Sequence, residues 1–169
     1  MSIERPTGGG FVKAVILLLT AIVVLAADQV TKALVVANLA IGEKAQVVGD
    51  LMQVWHAQNR GASFSLFQGW SIVFLVVSVL SIGMVAYFHR CLRDRSPWLH
   101  VVLGVVLGGT LGNFIDRLRQ GYVTDWLSIG IGDTRWPTFN VADSSLVIGI
   151  GILVLYLLLN NPDRREATA

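Results

Sequence analysis

Four stretches of this chain are apolar for long enough to cross a lipid bilayer, and nothing else limits its fold so strongly. The hydrocarbon core of a bilayer needs about 20 helical residues to span it. Inside it every backbone N–H and C=O must be satisfied internally, which leaves helices or closed barrels. The runs cover 11–27, 70–88, 98–115 and 141–159. Lys13 is the one charge in the first and can snorkel to the interface. The second has no charge, the third has His100 as its titratable group, and polar Asp143, Ser144 and Ser145 interrupt the fourth near its start. The chain is 54% apolar even before its 17 glycines are counted, where a soluble domain reaches roughly 45–50% with glycine included. This composition excludes a disordered chain. A net charge of +2 with no basic stripe argues against a nucleic-acid binder. A single cysteine, Cys91, gives no internal disulfide and no zinc-ligand spacing.

The expected architecture is all-α: one integral membrane domain over 1–169 with four transmembrane helices and a small β-rich outer segment between the first two. Residues 1–10 and 161–169 read as flexible tails. The first run resembles a signal peptide in outline, but Leu25 is bulky for a cleavage site and three further spans make a retained helix natural. Arg90, Arg93 and Arg95 join the second and third spans, Arg164 and Arg165 follow the fourth, and Arg5 and Lys13 open the chain. With four spans all of these fall on one side, so both termini are expected in the cytoplasm. Trp70, Trp98, Trp126 and Trp136 fall near span borders, as in an aromatic belt. The outer segment 39–69 carries a β-leaning mixture with Gly49-Asp50 as a turn, which predicts a short hairpin. The outer segment 116–140, with Gly121, Gly130, Gly132 and Pro137, reads as turns with one short amphipathic piece.

This topology gathers polar groups on the outer side. Asp28 and Lys32 end the first span, Asn113, Asp116 and Arg117 the third, while Asn140 and Asp143 open the fourth. Asn59 and Asp125 come from the outer segments. Carboxylates at membrane depth are costly and are usually functional or paired. Taken singly, several have plainer readings. Asn140 can cap a helix with Asp143 at its third position. Lys32 can pair with Asp28 one turn away, and Arg117 can be an interfacial anchor. His100, Gly104, Gly108, Gly112 and Asp116 recur every four residues, a stripe that lets another helix approach closely. His56, His89 and Cys91 have no ligand spacing, and no serine-hydrolase, zinc-protease or P-loop motif is present.

At these positions the sequence resembles the lipoprotein signal peptidase (signal peptidase II) family. Five family boxes appear in order: Asp28-Gln29-Val30-Thr31-Lys32, Asn59-Arg60-Gly61-Ala62-Ser63-Phe64-Ser65, Gly108 through Arg117, Val123-Thr124-Asp125-Trp126, and Phe139-Asn140-Val141-Ala142-Asp143-Ser144. Ser63 and Thr110 stand where alanine is usual, and Trp126 where phenylalanine is usual. The resemblance implies a monomeric aspartyl endopeptidase of the bacterial cytoplasmic (inner) membrane, with its active site near the extracytoplasmic face and neither metal nor organic cofactor. Its partners would be membrane lipids and prolipoproteins, cut just before a diacylglyceryl-modified cysteine. Asp125 and Asp143 match the catalytic pair; Asp28, Lys32, Asn59, Gly61, Asn113, Asp116, Arg117 and Asn140 match supporting or substrate-binding positions. Two other readings remain open on the residues alone. A cation transporter would use Asp28, Asp116, Asp125 and Asp143 as ligands, though its path should show polar residues at mid-span. A structural subunit would not require the clustered carboxylates.

Overall fold

The computed structural model describes residues 8–61 and 71–160. Trp70, the box residues Ala62 to Ser65, Arg5, Arg164 and Arg165 lie outside the described residues, as do the expected tails apart from 8–10, which open the first helix. Among the described residues, four helices are long and apolar enough to cross a membrane. They are α1 (Gly8–Asn38), α2 (Ser71–Cys91), α3 (Trp98–Gln120) and α4 (Val141–Leu159). Helix α1 continues well past the first apolar run, so Asp28 and Lys32 lie within it. Their pairing, one turn apart at 2.7 Å, removes the charge that would have ended the span.

Helix α3 is the axis of the bundle. In its most apolar window 61% of residues are buried inside the protein, against 11% in each of the other three. The glycine stripe explains how. A Cβ on Gly104 would lie 2.5 Å from the Leu17 carbonyl oxygen, and one on Gly108 would lie 2.7 Å from that of Ala21. Helix α1 therefore packs parallel to α3 at a separation only glycine permits. Gly109, on the next face, meets the Ala142 carbonyl at 2.7 Å in the same way, which brings in α4. Leu99, Val102, Leu103 and Val106 of α3 join Leu17, Val85, Leu92 and Leu153 in the core. At the start of α1, Lys13 donates to the Arg93 carbonyl at 2.6 Å, which ties that end to the α2–α3 connection.

A four-stranded antiparallel sheet covers the other end of the bundle. Its strands are β1 (Lys44–Val48), β2 (Met52–Asn59), β3 (Val123–Ile131) and β4 (Thr134–Arg135), in that spatial order. The first two form the expected hairpin, with Gly49 at positive φ in the turn. The other two correct two expectations. The β structure is not confined to the segment between α1 and α2, and 116–140 is not mainly turns. Strand β3 carries apolar residues at 123, 127, 129 and 131, but Asp125 interrupts that alternation. Its strand state comes from pairing with β2, in a register that sets Ala57 opposite Asp125 and Asn59 opposite Val123. Trp126 therefore lies within the sheet, half-buried.

Candidate active site

Two kinds of carboxylate site form where the sheet meets the helix ends. The first is built on Lys32, which is 4% exposed. Its ammonium contacts Asp28 Oδ2 at 2.7 Å and Asp116 Oδ2 at 2.9 Å, and donates to Asn113 Oδ1 at 3.1 Å. Asp28 Oδ1 accepts from the Ala142 N–H at 2.9 Å, an unpaired donor at the N-terminus of α4. Asp116 accepts from Gln29 at 3.0 Å and from the Thr124 N–H at 3.3 Å. One buried cation thus clamps α1, α3, α4 and the start of β3 together.

The second site joins Asp125 of β3 to Asp143 of α4 through three asparagines. Asn59 donates to Asp125 Oδ2 at 2.9 Å, and Asn140 donates to Asp125 Oδ1 at 2.7 Å. Asn113 donates to Asp143 Oδ1 at 2.7 Å, and the Asn140 N–H donates to Asp143 Oδ2 at 3.3 Å. Asn140 also donates to Asn113 Oδ1 at 3.3 Å, which links the two halves. The sheet register accounts for the Asn59 contact: Asn59 and Asp125 are diagonal neighbours on one face of the β2–β3 pair. Asn140 is the N-cap of α4, and its side chain and that of Asp143 complete a reciprocal capping box.

The orientation of each amide follows from a partner that can only donate. The Asn59 oxygen accepts from the Gly61 N–H at 3.0 Å, the Asn113 oxygen from the Lys32 ammonium, and the Asn140 oxygen from the Asp143 N–H at 2.9 Å. Each NH₂ group is thereby turned toward a carboxylate. Three of the four oxygens of the Asp125–Asp143 pair receive one such amide, and the fourth, Asp143 Oδ2, receives the Asn140 backbone N–H; among the described residues neither carboxylate forms an ion pair. Burial pushes the Asp125 carboxyl up to about 7, with the neighbouring Asp143 charge adding to the shift. The Asn59 and Asn140 amides and the Lys32 charge oppose it. A carboxylic acid held near neutral pH beside a second carboxyl can give and take a proton at physiological pH.

All ten candidate residues from the sequence fall at this end of the bundle. Arg117 stands slightly apart: its guanidinium lies over the Phe74 ring at 4.8 Å, donates weakly to the Asn113 carbonyl at 3.5 Å, and lines a cavity that Asp143 also borders. Three contributors had not been singled out. Gln29 reaches Asp28, Asp116 and the Gly112 carbonyl, and its place inside the first box was the available signal. Thr124 and Ala142 contribute backbone N–H groups, which no side-chain pattern can reveal. Among the described residues no group of three or more His, Cys, Asp or Glu is arranged to hold a metal ion.

Comparison with known proteins points the same way. A family model described as signal peptidase (SPase) II matches residues 20–159. A lipoprotein signal peptidase of Shouchella clausii is 35% identical over 150 residues, covering 89% of this chain and 97% of that protein. One of Dehalococcoides mccartyi is 44% identical over 141 residues, 78% of this chain and 82% of its own. A bacterial membrane enzyme solved by the in meso method at 2.3 Å superposes with a TM-score of 0.77 at 30% identity, over 87% of this chain and 90% of that one. With a family match across most of its length and the same fold in a membrane enzyme, this chain belongs to the signal peptidase II family.

Proposed function

We propose that Asp125 and Asp143 are the catalytic pair of an intramembrane aspartyl endopeptidase that cuts bacterial prolipoproteins just before a diacylglyceryl-modified cysteine. The observation that carries this reading is the set of three locked amides. They aim donors at a buried and a half-buried carboxyl that form no ion pair among the described residues, while the Lys32 ammonium is taken up by Asp28 and Asp116. Two close carboxyls resist double ionisation, so one keeps its proton. The ionised partner takes a proton from water as the water oxygen attacks the scissile carbonyl. The protonated partner gives its proton to the carbonyl oxygen. As the tetrahedral intermediate collapses, the carboxyl that took a proton from water delivers it to the leaving nitrogen and the C–N bond breaks. The other carboxylate recovers its proton from the carbonyl-derived hydroxyl, and the cysteine leaves with a free amine. No metal or organic cofactor has a role in these steps. The same ammonium argues against a cation-transport reading, because it already neutralises two of the four carboxylates that would hold the ion.

The active site belongs near the extracytoplasmic face, with both termini in the cytoplasm. In support, Arg90 lies in the last turn of α2 and Arg93 and Arg95 in the α2–α3 connection, at the end of α3 away from Asp116. A single chain supplies every group of the pair and its amides, which fits a monomer working among membrane lipids. The direct test is incubation of the purified protein with diacylglyceryl-modified and unmodified prolipoprotein. Cleavage of the modified form alone is expected, and cleavage of neither refutes the reading. For the orientation, cysteines placed at Asp133 and at Arg93 in a Cys91→Ser background should label from outside at 133 only. Labelling at 93 only would reverse the topology.

A further inference from the structure

Asp143 borders two cavities whose linings differ in kind. The first, about 290 Å³, lies among α2, α3 and α4 and is lined by Ser78, Ser81 and Thr110 as well as Asn59 and Arg117. Each hydroxyl donates to a carbonyl one turn earlier, at 2.8, 2.9 and 2.8 Å, and keeps acceptor capacity for a ligand N–H. The second, about 350 Å³, is lined by Trp136, Phe139, Val147 and Ile148 beside Asp143 and Ser144. The Ser144 hydroxyl is already committed to the Asn140 carbonyl at 3.0 Å. Helix periodicity separates the two. Leu146 and Ile150 face the first cavity and Val147 and Ile148 the second, with Asp143 on the boundary between the stripes.

We propose that the second cavity is an acyl-chain subsite, which takes one fatty-acyl chain of the diacylglyceryl group on the substrate cysteine. The inference rests on the peptidase reading above and adds where its lipid goes. The lipidated cysteine directly follows the scissile bond, so its thioether leaves the site within a few bonds of Asp143. The peptide preceding the bond needs partners for its backbone N–H and C=O groups, and the first cavity offers hydroxyls, an amide and a guanidinium. An acyl chain needs none, and the second cavity offers aromatic and aliphatic walls. Val147 and Ile148, 74% and 59% exposed, also belong to the bilayer-facing surface of α4. A chain can therefore pass from bilayer to cavity without crossing a polar barrier. Because lipid is as apolar as these walls, the exchange adds little affinity. What the subsite provides is placement of the scissile bond.

The test compares lipobox peptides carrying long-chain or short-chain diacylglyceryl cysteine, with the full-length protein in nanodiscs. Val147→Trp narrows the cavity and leaves both carboxylates in place. It should lower kcat/KM about tenfold for the long-chain substrate and leave the short-chain substrate unchanged. Leu155→Trp, exposed farther along α4, should change neither. Equal losses on both substrates, or none on either, overturn the subsite. A photoreactive group at the end of the acyl chain gives a readout on the unaltered protein. Adducts at Trp136, Val147 or Ile148 are expected, whereas adducts confined to Ser78 or Ser81 overturn the proposal. If the unaltered protein cleaves neither peptide, the peptidase reading fails and the subsite with it. If it cleaves both but Val147→Trp leaves their ratio unmoved, the subsite alone fails.

Discussion

Asp28 and Asp116 share one buried ammonium, while Asp125 and Asp143, at the same end of the bundle, are met by neutral amides and backbone N–H groups. The four carboxyls are alike in type, so what distinguishes the two pairs is their surroundings. A full positive charge at 2.7–2.9 Å from both partners ties them into a structural clamp. For Asp125 the amides oppose burial and the neighbouring like charge without overcoming them, and its carboxyl is pushed up to about 7. Lys32 serves both sites: it neutralises the first pair and turns the Asn113 amide toward the second.

The largest effect should come from breaking the amide-bound pair. Asp125→Asn or Asp143→Asn is expected to lower the cleavage rate by on the order of 10³-fold or more, because each removes a group that must transfer a proton. Both variants should remain folded in the membrane, and cleavage by the unaltered protein should survive exhaustive chelation. Steady-state assays on prolipoprotein check all of this, and substantial turnover by either variant breaks the assignment.

Lys32→Met should act on the clamp instead. It leaves two buried carboxylates without their cation, at a cost of roughly 3–5 kcal/mol. Thermal unfolding in detergent should show a clear drop in Tm, with activity falling as Asn113 loses the donor that orients it. A Tm equal to that of the parent would mean that the ammonium is not the clamp.

Asp125→Asn should move stability the other way, and pH reveals the sign. The Asp125 carboxyl titrates near 3.8 when unfolded and at about 7 when folded. The folded state therefore holds its proton longer, and the parent loses stability as pH rises from about 4 to about 7. Asparagine has no such loss, so the Tm of the variant relative to the parent should climb across that window, by up to a few kcal/mol in free energy. Peptidase activity of the parent should likewise decline as pH rises through about 7, where the pair loses its shared proton. A flat difference in Tm from pH 4 to pH 8 would contradict the raised carboxyl.

The smallest effect concerns Arg117. It contacts neither pair through an ion pair within the described residues, yet it lines the cavity beside Asp143. Arg117→Lys keeps the charge but loses the planar fork, and about a tenfold loss in kcat/KM, or ~1.4 kcal/mol, is expected if the fork positions substrate. Parental kinetics in Arg117→Lys at every substrate concentration would make the residue an interfacial anchor.

Much of this was legible in order along the chain because it depends on short spacings. Apolar runs marked the helices, Gly49-Asp50 marked the hairpin turn, and the four-residue glycine stripe marked the face of α3 that α1 occupies. Asn140 three residues before Asp143 marked the cap, and Asp28 four before Lys32 marked an ion pair. Strand β3 was not legible, because an aspartate breaks its alternation and its partner strand lies some 66 residues earlier, the separation of Asn59 from Asp125. Helix α1 was read too short for a related reason: the charges that seemed to end it cancel only when Lys32 folds onto Asp28 and Asp116.

The sequence by itself determined that the chain crosses a membrane several times and gathers its polar residues at one end, since bilayer length and helical period are local properties of the chain. Only the tertiary structure decided which carboxyls lie against the ammonium and which are met by amides. That outcome depends on where one ammonium and three amides come to rest, through contacts such as Lys32 to Asn113, 81 residues apart, and Ala142 to Asp28, 114 apart. Coulomb and hydrogen-bond energies depend on distances of a few ångströms, and distances across so many residues exist only once the helices have packed.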